Sequence, residues 1–328
     1  MRIVVYGAGA IGGVVGGLLH RAGHEVVLIA RGAHFEAIAD AGLRLETPEG
    51  TETLRVRVFD DPAKAELERR SIVLLGMKSQ HTEAALQRLA AVAPRDTAVV
   101  CMQNGVENER RSLRLFANTY GLVVMSPTSH LAPGVVQAHS APITGLLDVG
   151  RYPSGVDDTA IELADALRSA TFRSEALIDV MRWKYGKLIT NLSNAVTALC
   201  GPGAAGSELV RHARNEGETT LRAAGIDFAT PEEELARNGG DVKVLPTASG
   251  PWLGGSSWQS AARRTGSIES DFLSGEIVLL GRLIGVSTPV NELLQWESDR
   301  LAALRAAPGA ADADELLARA LSVATGET

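Results

Sequence analysis

Cysteine is scarce in this sequence: Cys101 and Cys200 are the only two among 328 residues. Two cysteines cannot build the disulfide framework of a small secreted domain, and the lack of a CxxC pair excludes the usual structural zinc site. The seven histidines show no spacing typical of metal ligands. We therefore expect no metal site and assign no catalytic role to a histidine.

The sequence also has fewer basic than acidic residues and lacks long apolar runs. The chain has 32 Lys and Arg against 39 Asp and Glu, a net charge of −7, and so lacks the basic surface that binds nucleic acid. No apolar run reaches the roughly 18–20 residues that cross a bilayer. The first residues lead straight into glycines, with no signal-peptide cleavage region. We expect a cytoplasmic protein without nucleic-acid or membrane partners.

The first half of the chain alternates between predicted strands and helices. Four short runs have the Val, Ile and Leu content of strands buried on both faces: Ile3–Tyr6, Glu25–Ala30, Ser71–Met77 and Thr97–Met102. Helical stretches such as Ala10–Ala22 and His81–Ala93 separate them. This alternation predicts a parallel sheet with helices on both sides, and the β-like runs in Gly121–Val149 are candidates to extend it.

From Asp179 onward the pattern is mostly helical. The predicted helices are Asp179–Leu199, Ser207–Ala224, Pro231–Arg237, Ile268–Leu283 and Pro289–Ala306. Pro289 fits a first helical turn, where the missing N–H is tolerated, and Gly285 fits a helix stop. We predict an α/β protein with a Rossmann-type parallel-sheet domain at residues 1–176, followed by an all-helical domain at residues 177–328. The glycine-rich stretch Gly239–Gly255, around Trp252, is too long for a simple connector and is a candidate flap.

A glycine-rich motif follows the first predicted strand. It matches GxGxxG and consists of Gly7, Ala8, Gly9, Ala10, Ile11 and Gly12. The pattern alone is weak evidence, because Gly201–Gly206 also matches it and is better interpreted as an interhelical loop. The first copy lies between a strand and a helix, the context of a dinucleotide site, where the backbone approaches the pyrophosphate and the helix N-terminus binds it.

The residue after the second predicted strand indicates which dinucleotide binds. An NAD-binding unit usually has Asp or Glu here, to bind the ribose 2′-hydroxyl, whereas this chain has Arg31. A guanidinium binds the 2′-phosphate of NADP bidentately. NADP is therefore the predicted cofactor, and the alternative is that Arg31 is a solvated loop residue.

Further short motifs follow in order along almost the whole chain. They are Met77-Lys78, Gln103-Asn104-Gly105, Gly186-Lys187-Leu188 with Asn191, Thr197-Ala198-Leu199, Ser256-Ser257, and Glu269 with Gly275. Together with Gly7–Gly12 and Arg31, their order and spacing resemble those of the ketopantoate reductases (2-dehydropantoate 2-reductases). The resemblance implies a Rossmann domain, then a helical domain, an active site between them, and the reduction of a 2-oxo acid by NADPH.

The resemblance also implies roles for individual residues. Lys187 would protonate the forming alkoxide as general acid, Glu269 would hydrogen-bond the distal hydroxyl of the substrate, and Ser257 would hold its carboxylate. Asn191 and Asn194 would line the substrate pocket. The residues implied for the cofactor are Asn104, beside the nicotinamide ribose and the substrate, and Arg31 and Lys78, at the adenosine phosphate end.

Each of these roles has a plainer structural alternative. On one continuous helix Lys187, Asn191 and Asn194 fall within about 60°, but such a polar stripe also suits a helix face in water. Glu269 suits the first turn of a helix capped by Ser267. The remaining alternatives are a helix cap at Ser256-Ser257, a turn at Asn104-Gly105 and a surface lysine at Lys78.

The resemblance therefore implies the NADPH-dependent reduction of 2-dehydropantoate to pantoate. The family often has its second Asn one residue farther from the lysine than Asn194 is from Lys187, followed by Pro-Leu-Thr. This departure leaves a bulkier 2-oxo acid open as the substrate. A non-catalytic NADP(H)-binding sensor is a further alternative, although a sensor would have no need of Lys187, Ser257 and Glu269 together. A homodimer is one assembly that the sequence leaves open.

Replacing Arg31 by Asp tests the predicted cofactor. The unaltered protein should bind NADPH at least about tenfold more tightly than NADH, the effect of one charge-assisted contact. In Arg31→Asp the carboxylate would repel the 2′-phosphate, so that the preference should shrink or reverse. Titration of both cofactors into both proteins measures it. Equal affinities in the unaltered protein would rule out Arg31 as the selecting residue.

Overall fold

The chain forms two compact units, which the computed structural model describes over residues 1–325. The first unit comprises Met1–Lys184 and Glu232–Trp252, and the second comprises Tyr185–Pro231 and the residues from Leu253 onward. This division differs from the predicted one because residues 232–252 return to the sheet-containing unit.

A large, mostly parallel sheet lies at the centre of the first unit. The strands are β1 (Arg2–Tyr6), β2 (Glu25–Ile29), β3 (Leu43–Thr47), β4 (Gly50–Leu54), β5 (Arg57–Phe59), β6 (Ser71–Leu75), β7 (Ala98–Cys101), β8 (Thr119–Met125), β9 (Thr128–Ser129), β10 (Val135–Ala138), β11 (Gly145–Arg151) and β12 (Phe172–Arg173). Eight of them form this sheet, in the order β12-β11-β8-β7-β6-β1-β2-β5. Only the β8–β11 pair among its described neighbours is antiparallel, which confirms the Rossmann-type prediction.

Helices cover both faces of this sheet. They are α1 (Ala10–Arg21), α2 (Gly32–Ala41), α3 (Thr82–Ala90), α4 (Asn108–Leu113) and α5 (Asp158–Ser169). Alternate residues of β1 show the two faces: Ile3 and Val5 belong to the apolar core that contains α1 and α5, whereas Val4 and Tyr6 belong to the core that contains α3. Burial on both faces explains why these strands are continuous apolar runs in the sequence.

A second, smaller sheet has the order β4-β3-β10-β9. The prediction that Gly121–Val149 extends the main sheet is therefore right for β8 and β11 and wrong for β9 and β10. Strand β10 pairs in parallel with β3, and its Val136 and Ala138 join the apolar core beside α1. The pattern of either strand alone does not reveal a pairing partner so distant along the chain.

The glycine-rich stretch Gly239–Gly255 is tied to this small sheet. Leu245 donates its backbone N–H to the carbonyl oxygen of His139 at 2.8 Å. Thr247 is buried, and its hydroxyl oxygen accepts a hydrogen bond from Gln137 Nε2 at 3.1 Å. The candidate flap is thus anchored through its middle to the first unit.

The second unit is helical, as predicted. The remaining helices are α6 (Val180–Asn191), which begins in the first unit, α7 (Ser193–Cys200), α8 (Glu208–Ala223), α9 (Pro231–Asn238), which lies almost wholly in the first unit, α10 (Ser256–Ala262), α11 (Ser274–Ile284), α12 (Pro289–Ala303) and α13 (Ala313–Thr325). Pro289 occupies the first turn of α12, and Gly285 ends α11 in the left-handed conformation, so both predicted helix signals are confirmed.

Two predicted helices are interrupted in the structure. Asp179–Leu199 divides at Leu192, whose N–H bonds to the carbonyl of Ile189 in the tighter i→i+3 pattern. Ile268–Leu283 becomes α-helical only from Ser274, because residues Ser270–Phe272 form a short 3₁₀ turn first. Both interruptions lie beside predicted site residues.

His139 is a buried titratable group at the anchor of the glycine-rich stretch. It is 1% exposed, with Nδ1 3.2 Å from the carbonyl oxygen of Leu245 and Nε2 2.9 Å from Ser129 Oγ. Burial lowers the pKa of His139 below its usual 6.5, although the Leu245 carbonyl and the Glu46 carboxylate favour the charged ring.

The stability of the protein should therefore fall as the pH drops below about 6.5, because the unfolded chain then binds a proton that folded His139 resists. His139→Gln should lower the free energy of unfolding near neutral pH but flatten its slope between about pH 6.5 and 5. Urea unfolding of both proteins across this range measures the two slopes. Equal slopes would show that other groups set the pH dependence.

Candidate functional site

Four parallel strands of the first unit end at one edge of the sheet. Tyr6 at the end of β1 pairs with Ile29 of β2 and Leu75 of β6, and Leu75 pairs with Cys101 of β7. The segments that follow these ends carry the predicted cofactor residues: Gly7–Gly12, Arg31, Lys78 and Asn104. Ligands of open parallel sheets bind outside the carboxyl ends of the strands, so the fold brings this predicted set together at the expected edge.

The glycine motif permits close backbone packing and leaves space for a ligand. Gly7 has φ +103°, and a Cβ there would lie 2.5 Å from the backbone nitrogen of Met77. A Cβ on Gly12 would collide with the carbonyl oxygen of Gly7. By contrast, a Cβ built on Gly9 meets no described atom beyond its chain neighbours within 4 Å. Gly9 precedes α1 and provides no side-chain cap, so this space adjoins the backbone N–H groups that favour an anion.

Positive charge lies near the same edge. Arg31 is exposed and immediately precedes α2. Burial raises the pKa of the Tyr6 hydroxyl, and the guanidinium groups of Arg88 and Arg31 oppose that shift. Arg88 is paired with Asp61 at 2.5 Å. An exposed Arg31 fits both a phosphate contact and the solvated alternative.

The backbone around Asn104 is held in place by neighbouring polar groups. The carbonyl oxygen of Asn104 accepts hydrogen bonds from Ser79 Oγ and Asn108 Nδ2, each at 3.5 Å. Asn108 Nδ2 also donates to Ser79 Oγ at 2.9 Å. This arrangement fixes the loop that follows β7 and gives the half-buried Asn104 a defined position next to Lys78 and its turn.

A buried ion pair, which the sequence did not predict, also contacts this loop. Lys184 Nζ lies 2.5 Å from Glu109 Oε1 and donates to the carbonyl oxygen of Gln103 at 2.9 Å. The side chains of Lys184 and Glu109 are 3% and 0% exposed. Burial raises the pKa of Glu109, and the ammonium of Lys184 opposes that shift. Glu109 precedes Arg110 and Arg111 on a short polar helix, so no local pattern distinguishes it from a surface residue.

Two lysines on α6 therefore differ in environment. Lys184 is enclosed by carbonyl oxygens and a carboxylate, whereas Lys187 is half-buried in the second unit. Asn191, one turn after Lys187, is 6% exposed. Its Nδ2 is buried and has no hydrogen-bond partner among the described residues, a state that a ligand oxygen would relieve.

Asn194 does not continue the helix that carries Lys187. It lies on α7, beyond the interruption at Leu192, so the predicted single helix is two helices here, although the backbone of Leu192 keeps helical angles. Asn194 instead adjoins the start of α10, where a Cβ on Gly255 would lie 3.1 Å from its Oδ1.

The capping alternatives for Ser257 and Glu269 are also wrong. Ser257 lies inside α10 and is 2% exposed, and no side chain caps this helix at Gly255. Glu269 is 4% exposed and precedes the 3₁₀ turn rather than lying in the first turn of an α-helix. Ile268, its neighbour, belongs to one small apolar cluster with Ala261 of α10 and Ala302 of α12, and both Ser257 and Glu269 are buried in the second unit.

Two absences bear on this site. No helix in residues 1–325 has the length and apolar character needed to cross a membrane. In the same range, no three His, Cys, Asp or Glu side chains are grouped so that they could hold a metal ion.

Sequence comparison identifies relatives of this chain. The family model of ketopantoate reductase PanE/ApbA matches residues 3–153, and the model of its C-terminal region matches residues 179–297. The 2-dehydropantoate 2-reductase of Archaeoglobus fulgidus is 30% identical over 305 residues, which cover 89% of this chain and 95% of that protein.

Solved structures share the fold. The PanE/ApbA family ketopantoate reductase of Ralstonia eutropha superposes with a TM-score of 0.78 at 29% identity, over 93% of this chain and 99% of that one. D-mandelate dehydrogenase, solved with NADH and anilino(oxo)acetate, gives a TM-score of 0.77 at 21% identity, over 97% and 100% of the two chains. At that identity the second likeness shows the fold alone.

Lys184→Met tests the structural role of the ion pair. Breaking a buried pair by removing one partner costs about 3–5 kcal/mol, so urea unfolding should show a large loss of stability. The double variant Lys184→Met/Glu109→Gln should recover part of it, because no unpaired carboxylate remains. Lys187→Met, on the same helix, is the control and should lose much less. Equal losses at the two lysines would contradict the assignment.

Proposed function

The chain belongs to the ketopantoate reductase family, and from this premise we propose that it reduces 2-dehydropantoate (ketopantoate) to pantoate with NADPH. The observation that carries the proposal is the buried amide of Asn191, which has no partner among the described residues. A buried donor without a partner costs free energy, and an oxygen of a polar substrate would supply one. The buried carboxylate of Glu269 suits a substrate hydroxyl.

In this proposal the unit that contains the large sheet binds the cofactor, and the helical unit binds the substrate. The open space at Gly9 and the uncapped start of α1 support a pyrophosphate site. Arg31 and Lys78 hold the adenosine phosphates, and Asn104 contacts the nicotinamide ribose. When bound, NADPH supplies the hydride that reduces the keto carbon.

Lys187 neutralises the charge that reduction creates. As the keto carbon is reduced, its oxygen becomes an alkoxide, and the ammonium of Lys187 donates a hydrogen bond and then a proton to it. Asn191 donates its amide N–H to a substrate oxygen, and Asn194 lines the same pocket. Ser257 donates its hydroxyl to the carboxylate, and Glu269 accepts from the distal hydroxyl. The product is a 2-hydroxy acid.

Lys187→Ala should lower kcat by about 10²–10⁴, the usual contribution of a general acid. The affinity for NADPH should change little, because Lys187 is assigned to the substrate oxygen and not to the phosphates. Steady-state kinetics with a separate NADPH titration distinguishes the two effects. A kcat within about threefold of the unaltered protein would favour the solvated-stripe alternative.

The decisive experiment compares ketopantoate with 2-oxoisovalerate, which lacks the distal hydroxyl. Without that hydroxyl the Glu269 carboxylate loses its substrate partner, so kcat/KM should be clearly higher for ketopantoate. Glu269→Gln should weaken this discrimination and leave NADPH binding unchanged. The fall in NADPH absorbance, at saturating NADPH, measures the rate of each of the two proteins with each of the two acids.

Other results would redirect the assignment. Comparable rates with the two acids, or turnover only of a bulkier acid such as benzoylformate, would assign the protein to a different 2-oxo acid. NADPH binding without turnover of any acid would support the sensor alternative. The cytoplasmic location and the homodimer stay predictions of the sequence.

A further inference from the structure

We propose that His34 is a positioning residue of the cofactor site: its imidazole sets the peptide plane between Ala8 and Gly9, and so directs the Gly9 N–H toward the pyrophosphate. The inference rests on the proposed dinucleotide role of this unit. It adds a residue that the glycine motif itself does not contain.

His34 bridges two backbone groups from distant parts of the chain. Its Nε2 lies 2.7 Å from the carbonyl oxygen of Ala8, and Gly134 donates its backbone N–H to Nδ1 at 2.8 Å. A carbonyl oxygen only accepts and a backbone N–H only donates. The neutral tautomer with its proton on Nε2 therefore satisfies both contacts at once.

The contact to Ala8 determines where the next N–H points. In a planar trans peptide the C=O and the following N–H point in opposite directions. Because the Ala8 carbonyl points to His34, the N–H of Gly9 points to the opposite side. Among the three glycines of the motif, Gly9 is the one at which a Cβ would meet open space. The bond to His34 therefore fixes the direction of a backbone donor at the open position of the loop.

The glycine loop needs such an external constraint. Gly7 and Ala8 both donate their N–H groups to the carbonyl oxygen of Ile29, at 3.0 and 3.1 Å, which fixes the peptides before Ala8. On the other side, the Gly9 carbonyl oxygen accepts the N–H of Gly13 at 2.7 Å, so the peptide between Ala8 and Gly9 lies between these two sets of bonds. Glycine has more backbone freedom to lose than other residues, so an imidazole that holds this peptide reduces the cost of ordering Gly9 on binding.

Neighbouring groups hold His34 itself. The ring of His130 lies 4.1 Å from that of His34, and His130 Nδ1 is 2.9 Å from the carbonyl oxygen of Val135. His34 is on α2, in the turn that follows Arg31. The start of one helix thus carries both the proposed 2′-phosphate contact and the group that orients the phosphate-binding loop.

Three substitutions separate the two hydrogen bonds. The Gln side chain of His34→Gln can place an amide nitrogen near the Nε2 position and keep the bond to Ala8. The shorter side chain of His34→Asn can place an oxygen near Nδ1 and keep only the bond from Gly134. His34→Leu keeps neither. The Kd for NADPH should rise about tenfold in His34→Leu and His34→Asn, and stay within about threefold in His34→Gln.

Adenosine 2′-monophosphate is the matched probe, because it has the 2′-phosphate and lacks the pyrophosphate. Its Kd should be unchanged in all three variants, whereas Arg31→Asp should raise it. In turnover, His34→Asn should raise the KM for NADPH and keep kcat at saturating cofactor. Thermal unfolding of each variant monitors the fold independently.

Several results would overturn the proposal. An NADPH Kd within twofold of the unaltered protein in both His34→Leu and His34→Asn would do so. Equal rises in the Kd of both ligands would also do so, because they would indicate a general distortion of the site. If His34→Leu fails to fold, the comparison of His34→Gln with His34→Asn still decides. Failure of the unaltered protein to bind NADPH would instead refute the proposed function.

Discussion

The parallel register of four strands is the constraint on which the cofactor end of this protein depends. Because Tyr6 pairs with Ile29 and Leu75, and Leu75 with Cys101, the chain leaves four strands at the same level. The loops must then pass so close together that a side chain at Gly7 would strike Met77. A register slip of one residue in any of these strands would move its loop along the edge and exchange the side chains that face the two apolar cores. Core packing and the position of the site are therefore fixed by the same hydrogen bonds.

The sequence predicted the features that depend on neighbouring residues. The strand–glycine–helix unit at Ile3–Ala22, the alternation that follows it and the helix stop at Gly285 each have a local cause, and the structure confirms them. The features that escaped prediction depend on long-range contacts. The small sheet joins β3 to β10, and Lys184 meets Glu109 across a large part of the chain. The sequence has no proline or glycine at Leu192 that would predict the interruption there.

Buried polar groups in this protein fall into two kinds, and the difference separates stability from function. Lys184 contacts the carboxylate of Glu109 and the backbone carbonyl of Gln103, so its charge is compensated within the fold. Asn191 Nδ2 is buried in the described structure with no such partner. It is one of several such atoms in the described structure, and it lies one turn from Lys187 on α6, so a ligand that Lys187 contacts would also supply its missing partner. The sequence pattern placed Lys187 and Asn191 on one stripe but could not make this distinction, because both residue types are common on solvated helix faces.

The start of α2 links cofactor preference to the orientation of the proposed phosphate-binding loop. Arg31 is the residue proposed to select the dinucleotide, and the imidazole of His34 contacts the carbonyl of Ala8 in the proposed phosphate-binding loop. Any movement of α2 that shifts Arg31 also pulls on this bond and so turns the Gly9 N–H. Cofactor preference can therefore change without loss of affinity only if the side chain at position 31 changes while the helix backbone stays in place. Gly134, which immediately precedes β10 of the small sheet, donates to the other nitrogen of the His34 ring and opposes such movement. The second sheet thereby contributes to the proposed cofactor site.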